Sequence, residues 1–256
     1  MSRYDAWRLA VGTLTVCPVR PPSAVDRGTA RAAMLLAPLA VLPLGVVAGA
    51  IWWAADLVDL PALVAGLLVV GALALGTRVM HWDGLSDVAD GLTASYDRER
   101  SLAVMKTGTS GPAGTVAVVV VAGLQAGALG GLSGQAGPGS TALLVGLCVC
   151  ASRAALTACC LRGVPAARSD GLGVTFAGVV PRSAAVLPWL AAAALLAVAG
   201  HGAGLDWWRG PLAVALALAV VVLLLIRCRL RLGGVTGDVF GAAVELGLAT
   251  LLVALA

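Results

Sequence analysis

The chain has 256 residues, 60% of them hydrophobic and only 12% charged, with a mean hydropathy of +0.97. Soluble domains are about half apolar and about a quarter charged, so this composition excludes an ordinary soluble protein and favours lipid as the solvent. The net charge of +4 does not indicate a nucleic-acid partner. We therefore expect one all-α domain over residues 1–256, a polytopic bundle of helices embedded in the lipid bilayer.

The first 31 residues are less apolar than the rest of the chain. Trp7, Leu9 and Leu14 are interleaved with Arg3 and Arg8, which favours a short helix lying along the membrane surface. The segment lacks the long apolar core and the small-residue cleavage site of a signal peptide. We expect residues 1–31 to be a cytoplasmic or interfacial segment ahead of the first span.

About seven stretches approach the length of about 20 apolar residues that a transmembrane helix needs. They are Ala32–Ala55, Pro61–Thr77, Ala113–Leu132, Ser140–Leu161, Ser183–Ala199, Pro211–Ile226 and Val239–Ala256. Basic side chains concentrate in the loops on one side, and the opposite loops hold only Arg209. The positive-inside rule then predicts a cytoplasmic N-terminus in the cell inner membrane and, with an odd number of spans, an outer C-terminus.

Polar residues cluster in four segments between the apolar stretches. These segments are residues 81–91, 98–115, 162–173 and 233–241. All four fall on the predicted cytoplasmic side, whereas the outer loops are short and carry few functional groups. We therefore expect one active site, and we expect it to face the cytoplasm.

The segment HWDGLSDVADG, residues 81–91, concentrates acidic groups in a chain that otherwise has few. Asp83, Asp87 and Asp90 stand at i, i+4 and i+7, so they share one face if the segment is helical. Close carboxylates stay ionised at little cost only with a cation among them, and oxygen ligands suit Mg²⁺, which also takes phosphate oxygens from substrates. The segment predicts a Mg²⁺ site, against the alternative of a solvated acidic helix end. His81 is a candidate proton acceptor.

The segment GGVTGDVFGA, residues 233–242, is a glycine-rich turn that leads into a helix. Such a turn presents free backbone N–H groups to an anion. Its candidate substrate contacts are Gly234, Thr236 and Gly237. Asp238, at the helix start, is a fourth candidate metal ligand or alternatively a helix N-cap. Glu245 lies two turns further along the same face, and because a carboxylate inside a span is expensive we expect it to contact the substrate or the bundle interior.

Two cations are candidate ligands for substrate phosphate. Lys106 lies in a loop with Gly108, Gly111 and Gly114, a composition that lets the backbone and the lysine surround phosphate oxygens. Arg153 falls within a span and therefore needs a buried partner. A carboxylate of the bundle or a substrate phosphate would meet that need.

Six segments, in chain order, resemble the motifs of one known family. They are LTVCPVRPP (14–22), HWDGLSDVADGL (81–92), DRERSLAVMK (97–106), SR (152–153), SDGLG (169–173) and LGGVTGDVFGA (232–242). The family is cobalamin synthase, also called adenosylcobinamide-GDP ribazoletransferase, and the likeness covers nearly the whole chain. One departure is MKTGTSGPAG, residues 105–114, where Thr107 and Thr109 replace an acidic and a basic residue of many members.

The resemblance implies a Mg²⁺-dependent transferase of the phosphotransferase type, acting late in vitamin B12 assembly. Its substrates would be adenosylcobinamide-GDP and α-ribazole or α-ribazole 5′-phosphate. Its products would be adenosylcobalamin or the 5′-phosphate, together with GMP. A homo-oligomer is compatible with this activity, and no nucleic acid takes part.

The residues and the resemblance together give a mechanistic hypothesis. A ribose hydroxyl of the acceptor attacks the phosphorus that carries the cobinamide, and catalysis is mostly positioning and charge neutralisation. Asp83, Asp87 and Asp90 would hold Mg²⁺, and Asp238 would complete the metal shell. The cations Lys106 and Arg153 would offset phosphate charge. The proton would pass to His81 or to one of the aspartates, so His81, Asp83 and Asp87 are the candidate catalytic residues.

Two other functions use similar residues. CDP-alcohol phosphatidyltransferases carry D-G-x-x-A-R, but Asp87 and Val88 stand where Ala-Arg would be. Ion-coupled transporters bury carboxylates near the bilayer midplane on broken helices, whereas these acids lie at the ends of predicted spans. Both alternatives are therefore ranked below the transferase.

Overall fold

The chain folds into a bundle of α-helices. The computed structural model describes residues 3–132 and 137–256, which contain thirteen helices and no β-strand. The helices are α1 Arg3–Leu14, α2 Arg27–Ala40, α3 Leu42–Leu57, α4 Ala62–Gly76, α5 Met80–Ala94, α6 Arg98–Val104, α7 Pro112–Gly131, α8 Pro138–Ser152, α9 Ala155–Cys159, α10 Leu172–Phe176, α11 Arg182–Gly202, α12 Arg209–Leu232 and α13 Gly237–Leu255. The all-α prediction is confirmed. Residues 133–136, within a predicted outer loop, lie outside the described residues.

The described residues contain six stretches long and apolar enough to cross a membrane, and a seventh if the bent pair α4–α5 is one span. The six are Arg27–Leu57, Pro112–Gly131, Gly139–Cys159, Arg182–Gly202, Arg209–Leu232 and Gly237–Leu255. This agrees with the predicted multi-pass bundle of about seven spans. Which end of the bundle faces the cytoplasm stays a prediction.

The second predicted stretch, Pro61–Thr77, differs most from the observed structure. Helix α4 has 15 residues and is about 22 Å long, shorter than a hydrocarbon core of about 30 Å. The chain then turns by 94° into α5, through Arg78 and Val79, whose φ angles of 55° and 60° are left-handed. The acidic segment is therefore a helix joined to α4 by a sharp elbow, not a loop after a completed span.

Helix α5 packs across the N-terminal ends of α13 and α7. At Gly84 a Cβ atom would lie 2.6 Å from the carbonyl oxygen of Asp238, and at Gly241 one would lie 2.9 Å from the Cα of His81. Gly114, near the start of α7, fits equally closely against Ser86. Only glycine allows these backbones to approach so closely, as is common between membrane helices. The glycines thus place the acidic helix directly over two helix N-termini.

Candidate active site

Parts of the four polar segments meet around one cavity of about 270 Å³. It lies between α1, α2, α5, α9, α10 and α13, and the loops around residues 106 and 168–171 form part of its wall. Eight polar or charged residues line it: Thr13, His81, Asp83, Lys106, Arg168, Asp170, Thr236 and Asp238. Segments far apart in the sequence therefore contribute to one site.

Two helices present carboxylates to this cavity. Asp83 is exposed in the first turn of α5 and lines the cavity, whereas Asp87 is half-buried one turn later and is not part of the cavity wall. Asp238 lies in the first turn of α13 and carries 25% side-chain exposure. Asp87 is close enough to interact electrostatically with both Asp83 and Asp238. Three negative groups thus lie near one another at the helix ends.

The start of α13 holds Asp238 in place. Thr236 is the N-cap of this helix, since its hydroxyl oxygen accepts from the backbone N–H of Val239 at 3.4 Å. The same hydroxyl donates to Asp238 Oδ2 at 3.0 Å, and Arg168 Nη1 lies 3.4 Å from that oxygen. Asp238 is therefore not the N-cap, and its carboxylate stays directed at the cavity beside a single arginine.

The carboxylates suit a divalent ion that is completed by substrate. Within residues 3–132 and 137–256, no three His, Cys, Asp or Glu side chains form a ready-made metal cluster. Mg²⁺ is usually held by one or two carboxylates, water molecules and substrate phosphates rather than by an all-protein cage. Asp83, Asp87 and Asp238 fit such a site, because they are hard oxygen donors near one cavity.

Asp90 is placed differently from the other two aspartates of its motif. Its side chain is buried, Oδ2 accepts from the N–H of Gly111 at 2.6 Å, and Oδ1 accepts from the N–H of Gly114 at 2.9 Å. These N–H groups belong to the N-terminus of α7, whose dipole favours a carboxylate. Seven residues also separate Asp83 from Asp90 by about 10 Å along the helix, too far to share one ion. We therefore remove Asp90 from the candidate metal ligands and assign it to anchoring α7.

His81 lines the cavity but turns one ring nitrogen into the bundle. The residue is 3% exposed, and its Nδ1 lies 3.6 Å from Glu245 Oε1. Glu245 is buried and does not line the cavity; its Oε2 accepts a hydrogen bond of 2.8 Å from Gln125 Nε2. Of the two predicted surroundings for Glu245, the structure shows the bundle interior and not the substrate site.

Arg153 is fully enclosed between α8 and α9. It is 1% exposed, and its Nη1 donates to Val149 O at 3.0 Å and to Ser152 Oγ at 2.8 Å. Its charge interacts with that of Glu245. Arg153 and Glu245 do not form an ion pair within 4.0 Å, so the direct partners of the buried arginine are Val149 O and Ser152 Oγ. The predicted contact of Arg153 with substrate has no support in the cavity wall.

The glycine-rich turn divides into a structural half and a cavity half. Gly234 packs so closely on Pro165 and Ala167 that a side chain would not fit, and Val235 N–H donates to Pro165 O at 2.9 Å. Thr236 and Gly237 line the cavity. Thr236 and Gly237 can therefore contact substrate as predicted. Gly234 is not part of the cavity wall, and its lack of a side chain lets the turn pack against the backbone of Pro165 and Ala167.

Two residues of the cavity wall were not singled out from the sequence. Arg168 pairs with Asp238 and also donates from Nη2 to Leu102 O at 3.0 Å. Asp170 accepts from Lys106 Nζ at 2.7 Å, and this hydrogen bond with the lysine charge lowers the pKa of its carboxyl. Both lie in the polar segment 162–173, and Asp170 is part of SDGLG, so composition and the resemblance were the available signals.

Comparisons with known proteins agree with these motifs. The family model described as cobalamin-5-phosphate synthase matches residues 6–256. A protein of Nocardioides sp. named adenosylcobinamide-GDP ribazoletransferase is 56% identical over 250 residues, which cover 98% of this chain and 97% of the relative. Proteins with the same name from Frankia casuarinae and Pseudomonas paraeruginosa are 39% and 38% identical, over 96% and 97% of this chain and 92% and 96% of their own lengths.

No solved structure matches the chain. The family model and the relatives nevertheless extend over nearly its whole length, and they confirm the predicted family of transferases. The chain belongs to the cobalamin-5-phosphate synthase family.

Proposed function

We propose that this chain is a Mg²⁺-dependent adenosylcobinamide-GDP ribazoletransferase embedded in the membrane. It joins adenosylcobinamide-GDP to α-ribazole or its 5′-phosphate, yields adenosylcobalamin or its 5′-phosphate, and releases GMP. The observation that supports this most is a single cavity with carboxylates, cations and a helix N-terminus on its wall, in a chain 56% identical to a relative with that name.

The reaction exchanges one P–O bond for another. An oxygen of the acceptor ribose forms a bond to the phosphorus that carries the cobinamide, and the bond from that phosphorus to the bridging oxygen of GDP breaks. The leaving group is GMP. Such a transfer depends mostly on positioning and on neutralising the phosphate charge.

Two cations of the wall are suited to the diphosphate of the donor. Lys106 is 53% exposed at its side chain and is paired with an exposed Asp170, so it can exchange that partner for a phosphate oxygen. Arg168 lies at 16% exposure beside Asp238. The N-terminal turn of α13, with Thr236 and Gly237 at the wall, adds backbone N–H groups toward an anion.

Asp83, Asp87 and Asp238 would hold Mg²⁺ together with substrate oxygens. When bound there, the ion neutralises phosphate charge and stabilises the leaving oxygen. One of these carboxylates is a candidate to accept the proton of the attacking ribose hydroxyl. His81 is the other candidate for that proton, and it would act through Nε2, because Nδ1 is enclosed beside Glu245.

The direct experiment uses the full chain purified in detergent or nanodiscs. Adenosylcobinamide-GDP labelled in the guanosine is mixed with α-ribazole and Mg²⁺, and we expect labelled GMP and adenosylcobalamin in equal amounts. Formation of GMP without the cobalamin, or no reaction at all, would contradict the assignment. Uptake of labelled substrate into sealed vesicles, without turnover, would support a transporter instead.

The site is also proposed to face the cytoplasm from the cell inner membrane. Two exposed residues are predicted to lie on opposite sides of the membrane. Tyr96 follows α5 and is 92% exposed, and Trp207 lies between α11 and α12 and is 67% exposed. A membrane-impermeant maleimide added to spheroplasts should label Trp207→Cys but not Tyr96→Cys. The reverse pattern would contradict the proposed orientation.

A further inference from the structure

The cavity has two chemically different halves. The charged half carries Asp83, Lys106, Arg168 and Asp238, as described above. The apolar half, named for its chemistry, consists of side chains from five helices that line the same cavity: Leu14, Met34, Leu156, Phe176 and Phe240. The charged half accounts for phosphate, but it gives no reason for these apolar side chains in the same wall.

The side chains of the apolar half are tightly packed. Met34 and Phe176 are 2% and 1% exposed, and the rings of Phe176 and Phe240 meet edge to face with centroids 6.5 Å apart. Such a wall offers van der Waals contact and aromatic edges, and among these five residues it offers no side-chain hydrogen-bond donor or acceptor beyond the weak sulfur of Met34. A group that binds here must therefore be largely apolar and of modest size.

We infer that the apolar half binds the benzimidazole base of the acceptor, an inference that rests on the function proposed above. Of the four large parts of the two substrates, the corrin is too bulky for a cavity of about 270 Å³, and the adenosyl group has the hydrogen-bonding groups of its adenine and ribose. Guanine would leave several hydrogen-bonding groups unpaired against Leu14, Met34 and Phe176, which is costly. A dimethylbenzimidazole joined to ribose has one free ring nitrogen and an otherwise hydrocarbon surface.

This orientation also brings the reacting hydroxyl to the acids. With the base on the apolar side chains, the ribose would remain inside the same cavity. Asp83 and Asp238 line that cavity, together with the cations that suit the diphosphate of the donor. The two halves would thus hold acceptor and donor within one cavity.

The test is acceptor selectivity, measured with the full chain in nanodiscs. Wild type and Met34→Ala are compared with three α-ribosides, whose bases are dimethylbenzimidazole, unsubstituted benzimidazole and adenine. We expect wild type to prefer the riboside of dimethylbenzimidazole. In Met34→Ala, the preference for dimethylbenzimidazole over unsubstituted benzimidazole should fall roughly tenfold, because the variant loses contacts that only the methyl groups of the base make. The KM for adenosylcobinamide-GDP should be unchanged.

Lys106→Ala is the matched control in the charged half. It should raise the KM for the donor and leave the preference among the three acceptors unchanged. Equal loss of kcat for all acceptors in Met34→Ala would show a packing role only, and a raised donor KM in that variant would place the donor on the apolar wall. Either result would overturn the assignment, whereas a wild-type protein that transfers to none of the acceptors would instead contradict the proposed function.

Discussion

The charged groups of this chain form two populations with opposite surroundings. Around the cavity, Asp83 and Lys106 are exposed, and Asp238 has one arginine beside it. Inside the bundle, Glu245 and Asp90 are buried, and protein donors occupy their oxygens. A buried charge that is already paired serves the fold, whereas partly solvated carboxylates with free lone pairs are available to a ligand.

The largest expected effect concerns catalysis in the first population. Asp87→Asn keeps the shape of the side chain and removes one negative charge that interacts with Asp83 and Asp238, so kcat/KM should fall on the order of 10²–10³-fold while the thermal unfolding temperature stays unchanged. The measurement is Mg²⁺-dependent formation of GMP. Asp206→Asn, an exposed aspartate between α11 and α12, is the matched control and should keep full activity. Near-normal turnover by Asp87→Asn would remove this residue from the site.

The second effect concerns stability in the buried population. Glu245→Ala removes the acceptor of Gln125 Nε2 and a buried negative charge that interacts with the charge of Arg153, and it should lower the free energy of unfolding by about 3–5 kcal/mol. Glu245→Gln keeps an acceptor for Gln125 and should cost less. Thermal unfolding in one detergent compares these variants with Asp83→Asn, a cavity residue that should unfold like wild type. Equal stability of Glu245→Ala and wild type would erase the distinction between the two populations.

A smaller structural effect is expected at Asp90. Asp90→Ala leaves the N–H groups of Gly111 and Gly114 without their acceptor, at a cost of about 1–3 kcal/mol. Amide hydrogen exchange should become faster at the start of α7, and Asp90→Asn, which retains one acceptor oxygen, should lie between. If Asp90→Ala changed Mg²⁺ dependence without changing exchange at α7, Asp90 would return to the candidate metal ligands.

The smallest effect concerns the pH range over which the Lys106–Asp170 ion pair protects the cavity wall. Lys106 lowers the pKa of the Asp170 carboxyl in the folded state, so their contact is complete above the ordinary carboxyl pKa of about 3.9 and is lost as the pH falls through the lowered value. Between pH 5 and 8, about the range in which carboxylates stay ionised, exchange protection in residues 168–171 should therefore be constant. Asp170→Asn should reduce that protection at neutral pH, and a protection that changed between pH 6 and 8 would exclude this pair as its cause.

Sequence reasoning located most of the site because hydrophobic patterning leaves few places for charge. A carboxylate in so apolar a chain is conspicuous, and Asp83, Asp87 and Asp238 could be selected on that basis alone. The same signal could not separate Asp90 from its neighbours, because its partners, Gly111 and Gly114, lie 21 and 24 residues away. Contacts over such separations depend on how α5 crosses α7, which the local pattern does not contain.

The apolar half of the cavity and the elbow before α5 were also out of reach. Met34 and Phe176 have the composition of ordinary core residues, and only the three-dimensional arrangement shows that they border a cavity. Arg78 and Val79 adopt left-handed φ angles, although neither residue type favours that region. Tertiary contacts impose this conformation; among them Arg78 Nη2 donates to Gly12 O at 2.8 Å and Val16 N–H donates to Gly76 O at 2.8 Å.

The short helix before the elbow has a consequence for the surrounding lipid. Leu63, Leu67 and Leu75 of α4 are 56%, 50% and 73% exposed and have the character of acyl-chain contacts. Where α4 alone lines the hydrocarbon core, its length, about 8 Å below the average core thickness, requires the bilayer to thin beside it, at a modest cost for each ångström of mismatch. Membranes of shorter acyl chains should therefore fit this side of the protein best. Because α4 leads into α5, bilayer thickness should affect the position of the helix that carries Asp83.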